Sequence, residues 1–108
     1  MEKKVLVLAG SVKDYSAAAE FGELIYIKLG SNMLNVGRHI ADILELLKNI
    51  HTQGYGPPYV VVSGYGLYVA LLIISALEIW GAIELLIWDA KTHILYSHPA
   101  FHESYPRL

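Results

Sequence analysis

The chain of 108 residues contains no cysteine. That excludes disulfide cross-links, thiolate metal centres and cysteine nucleophiles. Positive charge is scarce where it would matter most, because no lysine or arginine lies between Lys48 and Lys91. With a formal net charge of −2, the chain lacks the clustered bases that counter-ion release on a long duplex requires. Duplex nucleic acid is therefore not the expected partner. An anion bound near the middle of the chain must be held by backbone N–H groups, or by bases brought from elsewhere.

Also missing is an uninterrupted apolar run of spanning length. Tyr55 to Leu77 carries no charge, but Pro57, Pro58, Gly64 and Gly66 divide it. They break one would-be helix into a strand and a shorter helix. Glu78 and Glu84 follow, and both are costly at bilayer depth. No membrane partner is expected. The start, Met1-Glu2-Lys3-Lys4, lacks the features of a secretory leader, so a cytoplasmic location is predicted. The catalytic motifs Gly-x-Ser-x-Gly and His-Glu-x-x-His are absent as well, and no Ser/His/Asp set can be assembled.

What remains is strongly apolar, with 55 % hydrophobic residues. A chain this short has room for one core, so residues 1–108 are read as a single domain. Lys4 to Ala9 has the composition of a buried strand, and Glu23 to Leu29 of a second. The connection between them holds Ala17-Ala18-Ala19, enough for one helical turn. The two strands are close enough in sequence to pair antiparallel. Ser31 or Asn32 is a candidate cap for an amphipathic helix from about Met33 to Ile50. Val36, Ile40, Ile43, Leu47 and Ile50 form its apolar stripe, opposite Asn35, Arg38, Asp42, Glu45 and Lys48. His39 and His51 are assigned solvated or dipole-stabilised positions on this helix and its end.

Tyr59-Val60-Val61-Val62 reads as a central strand, and Ser63-Gly64-Tyr65-Gly66 turns it into a second helix, about Leu67 to Ile79. That helix is apolar almost all round and needs burial on two sides. Its own sheet covers one side; a second subunit is the simplest cover for the other. Trp80-Gly81 ends it. Ile83 to Trp88, the turn Asp89-Ala90-Lys91 and Thr92 to Ser97 form a hairpin. From His98 the tail is predicted irregular. The fold class expected is α/β, as an α+β two-layer sandwich. Its order is ββαβαββ, ferredoxin-like, with helices on one face of a mixed sheet.

Two places could carry chemistry. At Ser63-Gly64-Tyr65-Gly66, a strand runs through glycines into a helix. Such a unit aims backbone N–H groups at the positive end of the helix dipole. Glycine permits close approach of a phosphate, Ser63 adds a hydroxyl, and Tyr65 could stack on a base. The alternative is that Gly64 and Gly66 only make a tight turn. The second place is Asp89 with His98, near Lys91, His93 and His102. A carboxylate and an imidazole can ligate Mg²⁺ or Mn²⁺ or transfer protons. The hairpin sets the two toward opposite ends, so they could act together only across a subunit boundary. The alternative is that Asp89 shapes the turn and His98 is a surface residue.

The run Val61-Val62-Ser63-Gly64-Tyr65-Gly66-Leu67-Tyr68 precedes the apolar helix. Leu86-Ile87-Trp88-Asp89-Ala90-Lys91 and Tyr96-Ser97-His98 follow it. Together they resemble the metal-dependent ring nucleases of type III CRISPR systems. The core of that family reads V-V-x-S-G-R-G-P-x-W, then Y-D-P-R, then S-H. The resemblance implies binding of a cyclic oligoadenylate, foremost cyclic tetra-adenylate, by a symmetric dimer or tetramer. It also implies that Ser63, Gly64 and Gly66 cradle the phosphates, beside the Tyr65 ring offered above for stacking. Asp89 and His98 would be catalytic and metal-binding residues, with Mn²⁺ as the metal. There are departures. Tyr65 stands for the loop arginine, Leu67 for the proline, and Asp89-Ala90-Lys91 for Asp-Pro-Arg. Glu78-Ile79-Trp80-Gly81 occupies the stretch where the family carries a further histidine. Loss of one catalytic group impairs cleavage more readily than binding. The expectation is thus a ring nuclease or a non-catalytic sponge or sensor, with a structural oligomerisation module as the third reading.

Overall fold

The computed structural model describes residues 3–8, 16–28, 35–63, 66–89, 91–92 and 94–101. Strand β1 (Lys4–Leu8) is followed by a short 3-10 helix (Ser16–Glu20) and strand β2 (Glu23–Ile27). Helix α1 (Val36–Thr52), strand β3 (Tyr59–Val61) and helix α2 (Gly66–Trp80) come next, then strands β4 (Ala82–Asp89) and β5 (Ile94–Phe101). The class is α/β, with one five-stranded mixed sheet and both α-helices on the same face.

The strand order is β2-β1-β3-β4-β5. Strands β1 to β4 are mutually parallel, and only β5 runs against its neighbour. This corrects the antiparallel pairing expected of the first two strands, on which a ferredoxin-like order depends. Lys4 pairs with Glu23 and Leu8 with Ile27 in parallel register. The stretch between Leu8 and Glu23 is long enough for a crossover, and its 3-10 helix supplies one. Ala18 of that helix packs on the face opposite the α-helices, with Val5, Val7, Val61, Leu86 and Leu95. At Gly22 an added Cβ would lie 2.3 Å from the Lys3 carbonyl oxygen, so only glycine lets the crossover return this close to β1.

The main core lies between the sheet and the α-helices. Leu6, Leu8, Ile27, Val60 and Ile83 meet Ile43, Leu47 and Ile50 of α1 and Tyr68, Leu72 and Ala76 of α2. Each of the valine, leucine and isoleucine side chains contributes about 1.5–3 kcal/mol on leaving water. The stripe read for α1 is the buried one, and Arg38, Asp42, Glu45 and Lys48 are exposed. His39 is a correction, since it is only 2 % exposed. It stands one turn before Ile43, on the same stripe, with its ring edge-on to Tyr68. The helix also starts later than expected, capped by Asn35, whose side chain accepts the Arg38 N–H at 3.3 Å. Ser31 and Asn32 lie outside the described residues. Gly54 (φ 92°) and Gly81 (φ 77°) follow the two α-helices in left-handed conformation, the usual stop for a helix.

The hairpin is longer than the sequence suggested, because β5 continues through His98 and Pro99 to Phe101. Proline is tolerated there because β5 is an edge strand.

Candidate functional site at the carboxyl edge of the sheet

Four parallel strands bring their carboxyl ends to one edge. From β1 the chain crosses to β2 on one side, and from β2 it passes over to β3 on the other. The direction of winding therefore reverses between β1 and β3. In open parallel sheets the crevice outside such a reversal is where ligands bind. The glycine loop leaves the sheet here, directly after Val61.

Backbone hydrogen bonds fix Val62 and Ser63, where that loop begins. The Val62 N–H donates to the Leu86 carbonyl at 3.0 Å, and the Ser63 N–H turns back to Val61 at 3.0 Å. Both amides are thereby engaged. The first turn of a helix carries N–H groups that no intrahelical acceptor can satisfy, and α2 begins at Gly66. Gly64 and Tyr65 lie outside the described residues. Gly66 opens α2 without a left-handed φ, and a Cβ added there meets nothing within 4 Å. Neither backbone conformation nor packing requires glycine at this position. The loop opens onto a groove of ≈ 290 Å³ lined by Val62, Ser63, Gly66, Val69, Ala70 and Ile73.

The first turns of both α-helices converge at this edge. His39, one turn into α1, meets Tyr68 in the first turn of α2 at 5.1 Å between ring centroids. Tyr68 is fully buried, so this contact holds the two amino-terminal turns side by side. Two positive dipole ends then face the same space. Arg38 lies in the first turn of α1, exposed and 3.4 Å from Asp42. Lys28 follows β2 at the same edge and is also exposed. Arg38 stands beside the helix starts, and Lys28 lies two strands away from β3, on the edge strand β2. Sequence reading missed Arg38 because it did not bring the start of α1 beside the glycine loop. The buried position of His39, on the Ile43 side of the helix, was the available signal.

Asp89 and His98 are not brought together within one chain. Asp89 pairs with Ile94 and His98 with Leu85, roughly 13 Å apart along the strand at the usual rise per residue. The Asp89 carboxylate accepts the Lys91 N–H at 2.8 Å and the Thr92 N–H at 3.4 Å, an arrangement that holds the hairpin turn. His98 is exposed on the edge strand, while His93 and His102 lie outside the described residues. Among the described residues, no three His, Asp or Glu side chains cluster as a metal would require. The pair in one chain does not fit a Mn²⁺ centre.

A second hollow, ≈ 340 Å³, sits at the opposite edge, between His51, Tyr55, Pro57, Ile79 and Trp80. The Trp80 indole N–H donates to the Tyr55 carbonyl at 3.2 Å. Lys4 nearby is buried, bonded to Glu23, and 4.1 Å from the Tyr55 ring centroid. The Glu23 hydrogen bond, helped by Tyr55 and opposed by burial, holds the Lys4 ammonium above its ordinary pKa.

Comparison with known proteins gives no matching family model, no matching curated protein and no matching solved structure. No described helix is long and apolar enough to cross a membrane.

Proposed function

We propose that this protein is a cytoplasmic, homo-oligomeric binder of a cyclic oligoadenylate, foremost cyclic tetra-adenylate, in type III CRISPR antiviral signalling. The observation that carries the reading is the convergence of two helix amino termini beside the β1/β3 reversal, fixed by His39 against Tyr68. Converging N–H donors and dipole ends suit a phosphodiester. Arg38 in the first turn of α1 adds positive charge at the same edge, and the groove beside Ser63 and Gly66 offers an apolar wall for a base. The family resemblance of the Ser63-to-Tyr68 run supplies the identity of the nucleotide.

Binding without cleavage is the form of the reading that the geometry favours. Asp89 is engaged in its own turn, and His98 stands well along the strand from it. A ring nuclease built on this pair would need Asp89 from one copy and His98 from another, with Mn²⁺ between them. Incubation with cyclic tetra-adenylate, with and without Mn²⁺, separates the two. Ligand bound and recovered intact supports a sponge or sensor. Linear product that disappears in both Asp89→Ala and His98→Ala supports a nuclease. Absence of binding by a folded protein removes both.

A further inference from the structure

Helix α2 covers the sheet with Tyr68, Leu72 and Ala76 and turns a second apolar side outward. At 100° per residue, Leu67, Ala70 and Ile74 share that outer ridge. Ile74 is 61 % exposed and Leu67 45 %, and together with their neighbours they form a contiguous apolar patch rather than isolated exposed side chains. The ridge borders a cross-strand row at the carboxyl edge. The register Val61–Leu86 sets Val62 beside Ile87, and Ile87 pairs with Tyr96. All three are about two-fifths exposed. Ridge and row meet at the groove floored by Val62, and neither contains a charged residue.

We propose that this face binds the same face of a second copy of the chain, with α2 packed antiparallel against α2. Three features select that occupant. The residues named are uncharged, so no like charges meet among them, and Glu78, one turn beyond Ile74, lies at the far end of the ridge from the crossing. Leu67 and Ile74 are spaced evenly about the Ala70–Leu71 bond. An antiparallel crossing there sets each copy's Leu67 against the other's Ile74, as a two-fold interface demands. Ala70, the small residue, falls at the axis, where it allows close approach of the helices. The area is also adequate. The six residues named expose on the order of 450 Å², against roughly 800 Å² per partner, a little over half of it apolar, in a standard interface.

This rests on the self-association in the reading above, and because Val62 and Ala70 also line the groove offered there to a base, a ligand in that groove would lie in the seam between the copies. The test is the mass of the full chain in solution, by light scattering and sedimentation at micromolar concentration. The wild type is expected to be dimeric or a higher even oligomer. Ile74→Glu halves the mass without lowering the melting temperature, because Ile74 supports little of the monomer core. Since the chain has no cysteine, Ala70→Cys should form a disulfide-linked dimer on mild oxidation. Ala17→Cys, exposed on the 3-10 helix of the other face, should not. A dimer that persists in Ile74→Glu and is not trapped by Ala70→Cys would overturn this interface and leave self-association standing. A monomeric wild type that still binds nucleotide would overturn self-association altogether. A monomer that floats with phosphatidylcholine vesicles, and stops doing so in Ile74→Glu, would assign the ridge to lipid and overturn the proposal.

Discussion

Replacing Gly66 with alanine separates a binding role for this glycine from a folding role. The added methyl meets no atom within 4 Å, and the residue does not occupy the left-handed region. Neither strain nor overlap opposes the substitution. An interior helical glycine replaced by alanine gains about 0.5–1 kcal/mol, chiefly through the unfolded chain. Gly66 is the first residue of α2, where the gain is smaller, so about 0.5 kcal/mol is expected. For a domain of this size that raises the melting temperature by roughly 2–4 °C. The same methyl stands at the amino terminus of α2, on the wall of the groove, where a phosphate would contact the backbone. Affinity for cyclic tetra-adenylate should fall about tenfold or more, some 1.4 kcal/mol. Thermal melts and a calorimetric titration on one preparation read both effects. A lower melting temperature would mean that the loop needs glycine to fold. Unchanged affinity would mean that no anion approaches this backbone.

Tyr68→Ala removes the fully buried ring that meets His39 and should cost about 3–5 kcal/mol in urea unfolding, with loss of ligand binding at denaturant levels where the wild type still binds. Gly22→Ala forces a Cβ to within 2.3 Å of the Lys3 carbonyl and should destabilise by about 1–3 kcal/mol, with a lower urea midpoint. Lys4 has a folded pKa raised above its unfolded value, mainly by Glu23. Its contribution to stability is thus complete below pH about 10.4 and is lost as pH rises through the higher folded value. Urea midpoints should fall more steeply above pH about 10.4 in the wild type than in Glu23→Gln, which lacks the partner carboxylate.

Periodicity made α1 legible, because its apolar residues recur on one side and that side is the one buried. The strand–glycine–helix unit was legible too, from an uncharged valine run followed by glycine. Direction of pairing was not. A hairpin and a crossover can share the same two strands, and the difference lay in whether the connection around Ala18 crossed the sheet face. Residues this small give no strong periodic signal, and only the pairing of Lys4 with Glu23 settles it. The same gap hid half of the candidate site. Once β1 and β2 are parallel, α1 begins at the carboxyl edge and delivers Arg38 and His39 there. His98 was placed beyond the hairpin because Pro99 follows it; a proline is compatible with an edge strand, and edges cannot be read from one strand alone.

Calorimetric titration of the unmodified chain with cyclic tetra-adenylate bears most directly on the site at the carboxyl edge. Saturable binding at micromolar ligand or tighter, weakened by added salt and by Arg38→Ala, is the expected result. A folded protein that takes up no cyclic oligoadenylate at those concentrations would contradict the account. The edge where α1 and α2 begin would then be packing and nothing more.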